Sequence, residues 1–249
     1  MTNELNIKSS TIEKGLDLIK DFTQKLIGPS IEEVGLLMSD TIRYFRFKNQ
    51  VDILVKAQEY VKNKKIDVKE IPTKILVPLL ENASLEEDEK MQDKWAFMIG
   101  NLADSEQNLQ NQIFPYLLNQ ISLDEYNHLL KFRRKEEEFI KQSNELSEMK
   151  GKKNSLFSIE KRELYRKVTQ ARQEGFYIAG VEDYEYSNLQ RLGLLKLMPP
   201  KIIINELQIE HNGYEESKFY PIDAEYETDD DGYRLTPLGF EFLSACEEK

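Results

Sequence analysis

One cysteine in 249 residues, Cys246, leaves nothing for an internal disulfide to pair, so packing and hydrogen bonding must hold this chain together. Cys246 itself is expected to be a buried helix residue. No uninterrupted apolar run approaches the roughly 18 to 20 residues that cross a bilayer, so no transmembrane segment is expected. The Met1 end has no apolar secretory stretch either, which together with the lone thiol points to the cytoplasm. Histidine is scarce. His128 falls in a predicted helix and His211 at a predicted strand end, and neither has a cysteine or second histidine at zinc-ligand spacing. A Gly-rich phosphate loop, a nucleophile elbow and a Cys/His pair are all missing. Glu227, Asp229, Asp231 and Gly232 begin like an EF-hand, but Leu238 stands where the bidentate glutamate belongs. We therefore expect no cofactor and no metal, and an enzyme is the less favoured class.

What the chain does have is helical periodicity. Before residue 135 the pattern is almost wholly helical, starting with an amphipathic segment from Thr11 to Ile27 that Gly28 and Pro29 close. Ser30 with Glu33 has capping-box spacing for a second, long helix. That helix carries one stripe at Ile31, Val34, Met38, Ile42 and Phe45 and a shifted one at Phe47, Val51, Leu54, Val55 and Val61. In IPTKILVPLL, Pro72 suits a helix start, while Pro78 should begin a new turn or kink the element, so short helices are expected there. Ser84 and Glu87 have capping-box spacing ahead of Met91, Trp95, Met98, Ile99 and Leu102, with carboxylates from Glu86 to Glu89 favoured by the helix dipole. Ser122 and Glu125 repeat that spacing in SLDEYNHLLKF.

The formal charge of −11 is unevenly spread. Residues 131–175 hold 13 basic against 8 acidic residues, whereas residues 176–249 hold 6 against 16. The first of these stretches reads as a charged helical connector with a linker at GKKNS, residues 151–155, where proteases should cut first. The second reads as helix, strands and helix. SNLQRLGLL is helix-like, KIIINELQIEH and FYPIDAEYE are strand-like, and DDDGYRLT offers a hairpin turn at Asp231 and Gly232 before a short strand. Thr236 then caps a last helix with Pro237 at its first position. The resulting fold class is mainly α. It comprises an N-terminal multi-helix domain at 1–132, a helical connector at 133–175 and an acidic winged-helix-like α+β module at 176–249.

Winged helices commonly grip DNA, but replacing counterions on phosphates takes Lys and Arg, and the acidic module repels nucleic acid. Interaction by protein contact is preferred. Three groups of side chains are the candidate surface: Arg43, Arg46 and Lys48 among the aromatics of RYFRFK; Arg133, Arg134 and Lys135, continued by Lys152 and Lys153; and the carboxylates Asp229, Asp230 and Asp231. On a helix, Arg43, Arg46 and Gln50 share a side, so core aromatics with snorkelling arginines explain the first group well.

The run from Gly28 to Leu130 resembles the Abi-alpha, or abortive-infection alpha, family of bacterial proteins. Gly28, Pro29, Arg43 to Asn49, VPLLENASLEEDE and Gln92 to Ala96 carry the resemblance, and LGLL and LTPLG near the end agree with it. The resemblance implies phage resistance in which an infected cell stops growing or dies before progeny mature. It supplies no catalytic residues. The implied actor is a sensor or adaptor that meets a protein partner or phage component, itself as a homo-oligomer or beside another protein. The alternative is a winged-helix transcriptional regulator that binds nucleic acid.

Overall fold

The computed structural model describes residues 21–26, 41–107, 112–150, 159–199, 201–204, 224–227 and 232–249, and among them the chain is mainly helical. Residues 21–26 are helical. In chain order there follow α1 (Thr41–Lys64), α2 (Thr73–Ala83), α3 (Glu89–Leu102), α4 (Ile113–Leu118), α5 (Leu123–Lys150), α6 (Ile159–Glu174) and α7 (Asp183–Arg191). The strands β1 (Leu195–Leu197), β2 (Lys201–Ile204), β3 (Ala224–Glu227) and β4 (Tyr233–Leu235) lead to α8 (Pro237–Cys246). The chain divides into two compact units, Met1–Asn127 with Pro237–Lys249, and His128–Thr236. The expectations placed on Ser30, His211, the GKKNS linker and most of Thr11 to Ile27 lie outside the described residues.

In the first unit α1 packs chiefly on α3, and α3 on α8. The expected stripe of α3 is core throughout: Met91, Trp95, Met98, Ile99 and Leu102 are all buried. Val51, Leu54 and Val61 of α1 are buried as their spacing predicts, joined by Ile53 and Ala57. Gly100 permits the closest approach, since a Cβ there would sit 2.5 Å from Cδ1 of Tyr60. Next to it the buried Asn101 accepts a hydrogen bond from the Tyr60 hydroxyl at 2.8 Å. Its amide nitrogen donates to the carbonyls of Ser244, Ala245 and Glu247 at 2.9 to 3.3 Å, which takes up carbonyls that the end of α8 cannot satisfy within the helix.

Two local expectations are corrected here. Ser84 does not cap α3. It closes α2, donating to the Glu81 carbonyl at 2.5 Å and accepting from Arg46 Nε at 2.9 Å. Asp88 is the cap instead, its Oδ1 accepting from the amides of Lys90 and Met91 at 2.8 and 3.0 Å, so Glu86 and Glu87 precede the helix. Pro78 lies inside one 11-residue helix, with no new element begun there. The capping box at Ser122 and Glu125 is present in both directions, at 2.7 and 3.1 Å.

In the second unit the strands form two antiparallel pairs. β1 pairs with β4, Leu195 facing Leu235, and β2 pairs with β3, Lys201 facing Glu227. Lys201 lies six positions after Leu195 and Leu235 eight after Glu227, so the two pairs differ in register by two. β3 and β4 each pair with another strand and not with one another, and Asp231 of the expected hairpin turn lies outside the described residues. Phe176 adds a bridge to the outer side of β4, exchanging hydrogen bonds with Tyr233 at 2.8 and 2.9 Å. Gly175, at φ 74°, makes that approach from the end of α6, where a side chain would strike Met198 and the Tyr233 carbonyl.

Candidate functional site

Four residues of α5 recur at helical spacing, Lys131, Arg134, Lys135 and Glu138, and so stand on one face of the helix. In the second unit that face meets Tyr177, Ile178 and Ala179, and together they line an open groove of about 380 Å³. A neighbouring hollow of about 270 Å³ shares Lys135 and Glu138 and is floored by Phe139 and Phe176.

The walls of the groove are firmly placed. Glu136, on the opposite side of α5, is buried and accepts both Nε and Nη2 of Arg234 at 2.5 Å, and the Leu235 amide at 3.1 Å. Arg234 lies against the rings of Phe139 and Phe176, at 4.4 and 5.2 Å from their centres. These contacts tie α5 to β4. The 176–179 segment is pinned separately, because the Tyr186 hydroxyl both donates to the Ile178 carbonyl and accepts from its amide at 3.1 Å.

Tyr186 also orders the aromatic rings. It stacks on Tyr233 at 4.3 Å and 13°, and on Tyr177 at 6.3 Å and 27°. Tyr177 is the outer ring of this ladder and is 52 % exposed. Beneath the groove, His128 Nε2 lies 3.4 Å from a carboxylate oxygen of the buried Glu185, which itself closes the capping box of α7 by accepting from the Glu182 amide at 2.9 Å. Lys131 Nζ lies 3.5 Å from His128 Nδ1, on the other side of that ring. Arg134 and Lys135 are exposed and form no ion pair or hydrogen bond among the described residues.

The sequence-derived candidates therefore separate. Arg134 and Lys135 come together in the groove, whereas Arg133 turns to Glu137 at 3.1 Å one helical turn on. Arg46 is engaged by Ser84 and Glu81 and Lys48 is exposed on the same helix. Arg43 belongs to α1, but its side chain, with Lys152, Lys153, Asp229, Asp230 and Asp231, lies outside the described residues. Sequence reasoning missed Tyr177, Lys131 and Glu138. The spacing along α5 could have supplied the last two, but nothing local marked Tyr177.

Among the described residues no group of three or more His, Cys, Asp or Glu side chains could hold a metal ion. No helix among them is long and apolar enough to cross a membrane. What the groove offers chemically is a pair of available cations beside an exposed ring, which suits binding an anion more than transforming one.

No curated protein and no solved structure matches the chain. The family model described as abortive infection alpha matches residues 42–246, continuing well past Leu130 to the end of α8. With most of its length so matched, the chain belongs to the abortive infection alpha family, whose name connects it with phage defence in general.

Proposed function

We propose that this protein serves abortive infection as a recognition component, a cytoplasmic sensor or adaptor without catalysis of its own, and that the α5 groove is its contact surface. The observation that carries the reading is that Arg134 and Lys135, without an ion pair among the described residues, stand in one groove with an exposed Tyr177. Exposed cations with no partner gain most from an anionic group arriving from outside, and exposed aromatic side chains with arginine typify contact surfaces. Helix α7 followed by the β1–β4 ribbon has the order of a winged-helix module, which supports treating the second unit as the recognising one. Family membership supplies the biological setting.

The test is protection. Cells expressing the protein are challenged with a panel of phages, and efficiency of plating is compared between the wild type and the Arg134→Glu/Lys135→Glu double variant. The reading expects protection from at least one phage, lost in the double variant at equal protein level. Equal protection by both proteins would remove the groove from the mechanism. Co-purification from infected and uninfected cells then identifies the trigger.

A further inference from the structure

We propose that the α5 groove is a nucleoside-phosphate site, with an unpaired base stacked on Tyr177 and its phosphate held by Arg134 and Lys135. This rests on the groove being the recognition surface and names the chemistry of its ligand. A volume of about 380 Å³ lies within the usual range of small-molecule sites, roughly 300 to 1,000 Å³.

The ring ladder decides between ligand classes. A carboxylate-rich peptide would satisfy Arg134 and Lys135 but would leave the Tyr177 ring half exposed. A base covers that ring and prolongs the stack that Tyr233 and Tyr186 begin. The pinned Ile178 backbone holds Tyr177 in place beforehand, so little side-chain freedom remains to be lost on binding. Glu138, on the same helix face, repels a second anion and accepts a hydrogen bond from an imino or amino N–H of a base. The adjoining hollow along Lys135 and Lys167 lets a strand continue in one direction. Two sources share this chemistry, a free nucleotide and an unpaired nucleotide within a strand of RNA or DNA. The overall charge of −11 gives no long-range attraction for either, so binding is short in footprint and strongest at low salt.

The experiment uses the full chain, with fluorescence anisotropy of labelled oligouridylate and oligothymidylate at low salt, and competition by ATP, UTP and polyglutamate. Binding is expected. Tyr177→Ala should weaken it about tenfold while Tyr177→Phe keeps it, because the stack needs the ring and not the hydroxyl. Arg134→Ala/Lys135→Ala should weaken it and flatten the log–log salt dependence by about 0.7, from the one phosphate they hold on a single strand. Full competition by mononucleotides assigns the site to a free nucleotide, and competition by strands alone assigns it to an unpaired strand. Absence of binding by every nucleotide probe, unchanged affinity in Tyr177→Ala, or displacement by polyglutamate as effective as by nucleic acid would each overturn the proposal. Loss of phage protection in the charge-reversed variant without nucleotide binding would overturn this ligand and leave the recognition surface standing.

Discussion

Replacing Glu136 with alanine should destabilise the second unit by about 3 to 5 kcal/mol, the usual cost of leaving one partner of a buried ion pair alone. The structure accounts for that size in parts. The Glu136 side chain is 4 % exposed and that of Arg234 15 %, so water replaces little of what is lost. Without the carboxylate, Arg234 keeps the Ala171 carbonyl at 3.3 Å and the faces of Phe139 and Phe176, which offset about 1 to 2 kcal/mol. The buried Leu235 amide loses its acceptor at the same time, adding about 1 to 3 kcal/mol.

Three further variants separate these contributions. Glu136→Gln keeps an acceptor for Leu235 and should cost less than alanine. Arg234→Met alone should cost about as much as Glu136→Ala, because it buries a carboxylate without its cation. The double variant Glu136→Leu/Arg234→Met removes both charges and should recover most of either loss. Urea unfolding followed by far-UV circular dichroism measures all of them. At about 1.5 kcal/mol per molar urea, a loss of 3 kcal/mol moves the midpoint by about 2 M. A shift for Glu136→Ala under about 0.5 M, or one that vanishes in high salt, would mean that the pair behaves as a screened surface contact and would refute the reasoning.

Gly100→Ala should destabilise the first unit by about 1 to 3 kcal/mol in thermal melts, although alanine favours a helix interior by about 1 kcal/mol, since its methyl would meet the Tyr60 ring at 2.5 Å. A stabilised variant would contradict that close approach. The Cys246 thiol is fully buried, and desolvation pushes it well above the ordinary thiol range, Glu247 adding to the effect and Lys94 opposing it. Native protein should therefore react with Ellman's reagent only as α8 opens, and Asn101→Ala, which strips hydrogen bonds from the end of α8, should speed labelling about tenfold. Immediate stoichiometric labelling of the wild type would refute it. Burial alone would raise the Asp104 carboxyl, but the Lys249 ammonium, the Glu106 amide and Lys69 outweigh it and hold it below the ordinary range. Its contribution is thus complete above about pH 4 and lost as pH falls through the lowered folded-state value, so Asp104→Asn should flatten the acid side of a Tm–pH profile and leave neutral pH with the smaller stability.

Legibility followed the range of the interactions. The α3 stripe and the Ser122–Glu125 box were readable because each is decided within two helical turns. The same Ser-x-x-Glu pattern at Ser84 misled, since Arg46, 38 residues away, takes that hydroxyl and Asp88 offers a competing cap closer to the apolar run. Likewise the pattern of α8 showed that one face is buried but not that it would group with the first 127 residues, a fact carried by Asn101 and its three distant carbonyls. The pairing of β1 with β4 and β2 with β3 joins segments far apart in the chain, which a local Asp-Gly signal cannot reveal.

Charge summed over segments and charge within the groove describe different surroundings. Counting by segment set the basic stretch up to residue 175 against an acidic stretch beyond it, and from that contrast nucleic acid was disfavoured for the acidic module. Yet charges act over about 8 to 10 Å at physiological salt, so a ligand in the groove is governed by the side chains that touch it. Those are Lys131, Arg134, Lys135 and Glu138 from one stretch and only the uncharged Tyr177, Ile178 and Ala179 from the other. The acidic residues set how fast an anion approaches, while the groove sets what it meets on arrival. A compositional boundary at residue 175 thus runs between Arg134 and Tyr177, the two side chains whose combination gives the site its chemistry.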